Sequence, residues 1–162
     1  MIRFAKRVSK ESLLRQVTKL QLPIRNPHKL TVIQLSKEIK VQLKTYLENW
    51  FLRRIKVDII PFLTVPSLPG RNCRHLPESR LEFDFSWKSL KIAIEIQGGL
   101  DQPRTGHRTA KGVRSDMRKV CLASLNGWIL LQLAPEHITD DVSWRNYTLP
   151  MLTKAFHLRQ GT

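Results

Sequence analysis

The sequence has few cysteines and no long apolar run. Its two cysteines, Cys73 and Cys121, lie far apart and match no Cys-x-x-Cys or Cys/His spacing, which argues against a zinc or iron–sulfur site and predicts free thiols in a reducing compartment. No apolar stretch approaches the ~20 residues that a membrane-spanning helix needs, and the basic N-terminal segment lacks the apolar stretch of a signal peptide. We therefore expect a cytoplasmic protein with no membrane partner.

Acidic residues are scarce as well. The 162 residues include 13 Asp plus Glu against 28 Lys plus Arg, a net charge of +15. A chain with this excess of positive charge attracts polyanions, and nucleic acid is the polyanion that fits best. Hydrophobic residues make up 41% of the chain, which is enough for a folded core and excludes wholesale disorder.

The order of the predicted elements indicates one α/β domain over residues 1–162, with a helical part at 1–54, a sheet and helix at 55–133 and a helical tail at 134–162. Ser9 is suited to cap a first helix, and Thr31 with Gln34 forms a capping box for a second. The other predicted elements are strands at 57–65, 80–87, 90–97 and 128–133, basic loops at 66–79 and 98–114, a helix from Ser115 to Asn126, and a C-terminal helix interrupted by Pro150.

Two carboxylates lie in the most strand-like part of the chain. Asp84 stands between two phenylalanines and Glu95 between two isoleucines. Because side chains alternate along a strand, pairing the apolar faces of the two strands brings both acids to the same side of the sheet. Two such carboxylates suit a hard divalent cation. On these residues alone, an equal alternative is a half-exposed sheet face where the acids pair with Lys88, Lys91 or a neighbouring helix.

A longer series of residues favours the metal site. Asp84 is followed by Glu95-x-Gln97 and a glycine pair, then by a basic loop containing His107, by Asp116-x-x-Lys119 and by Gly127-Trp128. This series resembles the PD-(D/E)XK nuclease superfamily, and within it the small phage-encoded nucleases and archaeal-type Holliday-junction resolvases. The similarity covers residues 80–133. It implies a restriction-endonuclease-like core, a mixed sheet flanked by helices in the order αβββαβ.

The resemblance also implies roles for individual residues. Asp84 and Glu95 correspond to the metal-binding acids of the family, with Mg²⁺ as the cofactor and Mn²⁺ as a substitute, and the carbonyl of Ile96 is a possible further ligand. The third motif position holds Gln97 where the family usually has lysine. Lys119 is our candidate for a relocated catalytic lysine; the alternative is a solvated lysine on the helix surface.

Roles can also be assigned to acidic residues on the predicted helices. Many family members add a glutamate from an N-terminal helix, and we choose Glu38 over Glu48 because it lies slightly nearer the apolar stripe of the long helix. Asp116 suits the N-terminal turn of its predicted helix, where a carboxylate offsets the helix dipole.

Basic residues follow the proposed metal ligands in the chain. We expect the loop after Glu95 to bind DNA phosphates because its cations alternate with glycines, although a charge run is also typical of a solvated surface. The predicted DNA-binding residues of this loop and of the loop at 66–79 are Arg104, His107, Arg108, Lys111, Arg114, Arg71 and Arg74. His75 belongs to the second group, while Trp128 is assigned to core packing.

The sequence therefore predicts a Mg²⁺-dependent DNA endonuclease that resolves four-way junctions by paired symmetrical incisions, with Asp84, Glu95, Gln97 and Lys119 as catalytic residues. Alternatives are a nuclease of the same family acting on other branched, single-stranded or damaged DNA, and a non-catalytic basic DNA-binding protein. We expect a homodimer, because paired incisions need two sites. Val41, Phe51 and Leu52 on the long helix are its predicted interface.

Overall fold

A computed structural model describes residues 9–19, 21–61, 67–76, 81–97 and 110–161. It is a mixed α/β structure with a four-stranded mixed sheet and helices. Residue contacts divide the chain into two compact units, Met1–Asn49 and Trp50–Thr162. The helices are α1 (Lys10–Lys19), α2 (Val32–Arg54), α3 (Ala110–Leu125), α4 (Glu136–Thr139), α5 (Asp141–Ser143) and α6 (Leu149–Gln160), and the strands are β1 (Gly70–Cys73), β2 (Phe83–Trp87), β3 (Ile92–Ile96) and β4 (Ile129–Leu133).

The helices of the first unit begin at the predicted caps. The Ser9 hydroxyl accepts a hydrogen bond from the Ser12 N–H at 3.2 Å, which satisfies one of the free donors at the start of α1. At the start of α2, Gln34 accepts from the Thr31 N–H at 3.0 Å, while its own N–H donates to the Thr31 hydroxyl at 3.3 Å. These reciprocal bonds confirm the capping box. The buried core of this unit consists of Leu13, Val17, Leu22, Leu35 and Ile39.

The segment after α2 is helical where a strand was predicted. Ile55–Ile59 forms a π-helical turn that continues α2, so the prediction of a strand from Val57 is wrong over its described part, which ends at Pro61. Ile55 and Ile59 are fully buried four residues apart, the spacing of a helix face. Burial of this face outweighs the preference of β-branched residues for strands.

The sheet has the order β1-β2-β3-β4, with β1, β2 and β3 antiparallel and β4 parallel to β3. The described elements follow the order α, β, β, β, α, β, but the first strand is β1, which lies inside the segment predicted as a basic loop and replaces the strand predicted at 57–65. β1 is held by backbone pairing along β2, with Arg71 opposite Phe85. β4 is less buried than predicted, because Gln132 is exposed and Ile129, Leu130 and Leu131 are half-buried.

The β2–β3 hairpin has a longer turn than the predicted Lys88-Ser89 pair. Trp87 is opposite Ile92, so four residues, Lys88 to Lys91, connect the strands. The Lys91 N–H donates to the Lys88 carbonyl at 3.1 Å. Lys91 has a left-handed φ of 49°, which closes the turn.

Helix α3 begins at Ala110, five residues before the predicted cap Ser115, which lies inside the helix. Asp116 is consequently beyond the first turn, so its predicted role at the helix terminus is wrong. The predicted C-terminus is confirmed. Gly127 has a left-handed φ of 72°, its N–H donates to Ser124 and the Trp128 N–H donates to Ala123, the two bonds of a Schellman motif.

Two buried clusters surround the sheet in the second unit. The larger contains Phe51, Ile55, Phe85, Trp87 and residues of β3, β4 and the C-terminal helices. Phe51 is fully buried there, so its predicted role in a dimer interface is wrong. Its ring lies 4.8 Å from that of Phe85.

The smaller cluster contains Leu76, Phe83, Ala93, Ala123 and Trp128, which confirms Trp128 as a core residue. Strict alternation along the strand predicts that Phe83 and Phe85 face the same cluster. Phe83 lies instead in the smaller cluster and Phe85 in the larger one. Phe83 is the first residue of β2 and is the partner of Cys73 in β1.

The C-terminal helices are continuous through Pro150. A π-helical turn at Trp144–Thr148 precedes α6, and Pro150 occupies the first turn of that helix. The widened turn accommodates the ring of a proline that otherwise clashes with the carbonyl four residues earlier, so the predicted interruption is wrong. Cys73 and Cys121 are free, as predicted. Among the described residues no helix is long and apolar enough to cross a membrane.

Candidate functional site

The two predicted carboxylates lie next to each other in the β2–β3 hairpin. The register pairs Phe85 with Ile94, and one further step along the strands sets Asp84 opposite Glu95. The Ile96 N–H donates to Asp84 Oδ2 at 2.8 Å, and the Asp84 N–H is 3.3 Å from Glu95 Oε1. The prediction that both acids occupy one side of the hairpin is confirmed by these contacts.

Lys119 of α3 reaches this pair. Its ammonium Nζ is 2.8 Å from Glu95 Oε1 and donates to the backbone carbonyl of Glu82 at 2.7 Å. The Lys119 side chain is only 15% exposed, so it is not a solvated lysine of the helix surface. The same contact also fits the alternative in which the acids serve structural ion pairs with a neighbouring helix.

The electrostatics of the site depend on the burial of Glu95, which is 9% exposed. Burial raises the pKa of the Glu95 carboxyl above its ordinary value, because the charged form loses hydration. The hydrogen bond and charge of Lys119 oppose this shift, while the nearby Asp84 carboxylate adds to it. Further positive charge at this position would therefore stabilise the ionised form.

The donor set fits a hard cation. Asp84 and Glu95 offer carboxylate oxygens, the ligands that Mg²⁺ prefers, and Mg²⁺ is commonly held by one or two carboxylates with waters and substrate phosphates completing its shell. The described residues contain no group of three or more His, Cys, Asp or Glu side chains able to hold a metal ion. Protein side chains would thus supply two ligands here, and the Ile96 carbonyl stays a predicted third.

Gln97, at the third motif position, directly follows β3 and is half-buried. Its backbone N–H donates to the Leu133 carbonyl at 2.8 Å, which extends the β3–β4 pairing by one residue. The backbone at this position is therefore fixed by the sheet, close to Glu95.

Glu38 and Glu48, the predicted choices for a third acid, belong to the first unit. Glu38 is half-buried and accepts a hydrogen bond from the Gln42 amide at 3.3 Å. Glu48 is 8% exposed and lies 3.6 Å from the Lys44 ammonium. Glu48 is thus the more buried of the two, and the choice of Glu38 as the third acid stays a prediction.

The predicted DNA-binding residues differ in how far the structure describes them and in their exposure. Arg104, His107 and Arg108 lie outside the described residues, and Lys111 lies in α3 with a side chain that is outside the description. Arg71 and Arg114 are exposed, on β1 and α3 respectively.

Arg74 and His75 have protein partners. The Arg74 guanidinium forms an ion pair with the Glu82 carboxylate. The His75 ring stacks on that of Trp128 at a centroid distance of 5.3 Å. Burial and the charge of Lys88 lower the pKa of His75, which favours its neutral form.

Sequence reasoning missed two features of the site. The Glu82 carbonyl anchors Lys119, and a backbone acceptor leaves no signal in residue identity. Ser86 follows Asp84 by two positions and is 3% exposed, and its hydroxyl has no hydrogen-bond partner within the described part of the chain. Strand alternation gives the signal for Ser86, since it places this hydroxyl on the predicted face of Asp84.

The chain matches no protein-family model and no curated protein, and its structure matches no solved structure. The resemblance to the PD-(D/E)XK superfamily accordingly stays a prediction.

Proposed function

We propose that this protein is a Mg²⁺-dependent endonuclease that cleaves branched DNA, with the four-way junction as its substrate. The observation that supports the proposal most is the cluster of Asp84, Glu95 and Lys119, in which two adjacent carboxylates and one ammonium group converge on a rigid hairpin. Phosphoryl transfer by a metal nuclease requires both kinds of charge, carboxylates for the metal and a cation for the phosphate. The net charge of +15 supports a polyanionic substrate.

In this proposal Asp84 and Glu95 hold the metal through their carboxylate oxygens. The chemistry that Mg²⁺ would supply there is polarisation of the scissile phosphate and activation of water. The Lys119 ammonium lies 2.8 Å from Glu95 and stabilises the negative charge that develops on the phosphate oxygens. Gln97 contributes an amide hydrogen bond without charge.

The proposed substrate, a four-way junction, rests on recognition of the shape of the DNA. The described residues form helices and a single four-stranded sheet, and we assign no separate element to base reading. Recognition then relies on phosphate positions, and a four-way junction is distinguished by the arrangement of its backbones. Other branched, single-stranded or damaged DNA is the second substrate class of the same enzyme.

A non-catalytic DNA-binding protein is the competing function, because the Lys119–Glu95 pair also satisfies a buried acid in the absence of metal. In that case binding would be independent of Mg²⁺, and removal of the carboxylates would leave binding unchanged.

The test is cleavage of an end-labelled synthetic four-way junction, with a linear duplex of matching sequence alongside. We expect symmetrical nicks in the junction with Mg²⁺ or Mn²⁺ and none with EDTA. Asp84→Asn should reduce the rate by at least about 10²-fold, the scale for losing one electrostatic group in a site. Glu136→Gln, an exposed acid at the start of α4, is the matched control and should cleave like wild type.

Tight junction binding without cleavage under any divalent metal would contradict the enzyme and support the non-catalytic function. Cleavage of single strands or flaps in preference to the junction would assign the second substrate class.

A further inference from the structure

The outer edge of β4 exposes backbone groups. Among the described residues β4 pairs only with β3. The Ile129 N–H donates to Lys91, and the Leu133 carbonyl accepts from Gln97, so the odd-numbered residues of β4 direct their backbone groups at β3. The N–H and C=O groups of Leu130 and Gln132 consequently point away from the sheet. An edge of this kind is a template for another strand.

Helix α3 carries an exposed apolar stripe. Val113, Met117 and Val120, spaced as on one helix face, are 43%, 63% and 38% exposed on α3. Two other α3 residues show how the helix is turned. Lys119 contacts the backbone of Glu82, and Leu122 packs on the cluster of Leu76 and Phe83.

That flank of α3 therefore faces β2. The stripe occupies the opposite flank, on the side of β4, which α3 also contacts. The strand edge and the stripe thus form one surface.

This surface differs from the rest of the chain in charge. Neither the stripe nor Ile129–Leu133 contains a charged residue, although the chain has a net charge of +15. Asp116, which precedes Met117 of the stripe, is the one acidic residue of α3 and is half-buried. Nucleic acid or an acidic protein would require cations at this edge. A second copy requires the opposite, a patch without like charges where two basic chains come together.

We propose that this surface is a homodimer interface, in which β4 pairs antiparallel with β4 of a second copy about a two-fold axis at Leu131. Leu130 then lies opposite Gln132 of the second copy, and each such pair exchanges both N–H···O bonds. Two-fold pairing is self-complementary, since one sequence supplies both sides. The stripe on α3 meets its copy on the same face of the extended sheet and buries the exposed apolar side chains.

The interface is one strand from the carboxylates, because Glu95 is the Cα partner of Gln132 in β4. The two Glu95 residues would lie three strand spacings apart, on the order of 15 Å across the sheet. This dimer stands independently of the proposed nuclease activity, and it replaces the long helix as the interface.

The test is the molar mass of the full chain by size-exclusion chromatography with light scattering over a range of concentrations. The 18.9 kDa chain should elute at twice that mass. Gln132→Pro removes one outward N–H and leaves the β3 pairing intact, and Met117→Lys introduces like charges at the two-fold. Both variants should elute at the mass of one chain.

Two variants are matched controls. Gln132→Ala keeps the N–H, and Leu125→Lys places the same charge on α3 away from the stripe, where Leu125 is 83% exposed. Both should remain dimeric, with thermal melts confirming that all four variants are folded.

A wild-type protein that elutes at the mass of one chain at every concentration would overturn the proposal. A dimer that survives both Gln132→Pro and Met117→Lys would overturn it as well. If Gln132→Pro does not fold, Met117→Lys alone decides. Junction cleavage is measured separately on Asp84→Asn, so loss of dimerisation and loss of chemistry are distinguishable.

Discussion

Two acid–base pairs of the second unit meet at Glu82 and differ in their surroundings. The Glu82 side chain pairs with Arg74 at the surface, where the two side chains are 38% and 66% exposed. The Glu82 backbone carbonyl instead accepts from Lys119, whose ammonium pairs with Glu95 at exposures of 15% and 12%. Water screens the first pair and not the second, so similar contacts have different energetic consequences.

The two pairs also differ in how much the acid depends on its basic partner. Lys119 compensates a carboxylate that burial makes costly to ionise, whereas Arg74 and Glu82 are each hydrated without the other. The inner pair should therefore respond asymmetrically to removal of its acid and its base. The outer pair should respond weakly to either.

The largest effect is expected for Lys119→Met. The substitution leaves the Glu95 carboxylate buried without its cation, which should lower the free energy of unfolding by about 3 kcal/mol at pH 7. The loss should shrink toward pH 4.5 as Glu95 takes up a proton. Urea unfolding at both pH values measures this, with the exposed Arg118→Met on the same helix as the control. An equal loss at both pH values would contradict the charge argument.

A smaller effect, on the pH dependence of stability, is expected for Glu95→Gln. The folded state raises the pKa of Glu95 above its ordinary 4.5, so the folded protein binds the proton more tightly than the unfolded chain. The Glu95 contribution to stability is consequently full below pH 4.5 and is lost as pH rises through the folded pKa. Glu95→Gln mimics the protonated form and should unfold with a flatter pH dependence and no loss of stability at pH 7.

Cleavage by Glu95→Gln should nevertheless fall as steeply as that by Asp84→Asn, because an amide binds Mg²⁺ poorly. A variant that is clearly less stable than wild type at pH 7 would show that the ionised pair is a net stabilising contact.

The smallest effect is expected for Glu82→Gln. This change removes the outer ion pair with Arg74 and keeps the backbone carbonyl that holds Lys119. The free energy of unfolding should change by less than about 1 kcal/mol, and the change should vanish in high salt. Denaturant unfolding at low and high ionic strength checks both expectations. A change as large as that of Lys119→Met would remove the distinction between the two pairs.

The features that the sequence predicted well depend on local chemistry. The caps at Ser9 and Thr31 and the Schellman end of α3 at Gly127 each involve residues within a few positions of one another. The shared side of Asp84 and Glu95 follows from strand alternation and a hairpin, which are also short-range. Such features need no knowledge of the remaining chain.

The wrong predictions depend on tertiary contacts. Ile55 and Ile59 resemble a strand in isolation and become helical because both are buried in the core. β1 has a loop-like sequence and forms through backbone pairing with β2, which residue identity does not encode. Lys119 could be proposed from the motif series, but its contact with Glu95 depends on how α3 packs over the sheet.

The Lys119–Glu95 contact has a consequence for the stability of the protein without a bound metal ion. The polypeptide carries its own counter-charge for Glu95, so this buried carboxylate is compensated in the absence of a divalent ion. At the proposed metal site, loss of the ion would then abolish catalysis without unfolding the protein. A site composed of carboxylates alone would instead tie the survival of the fold to the metal supply.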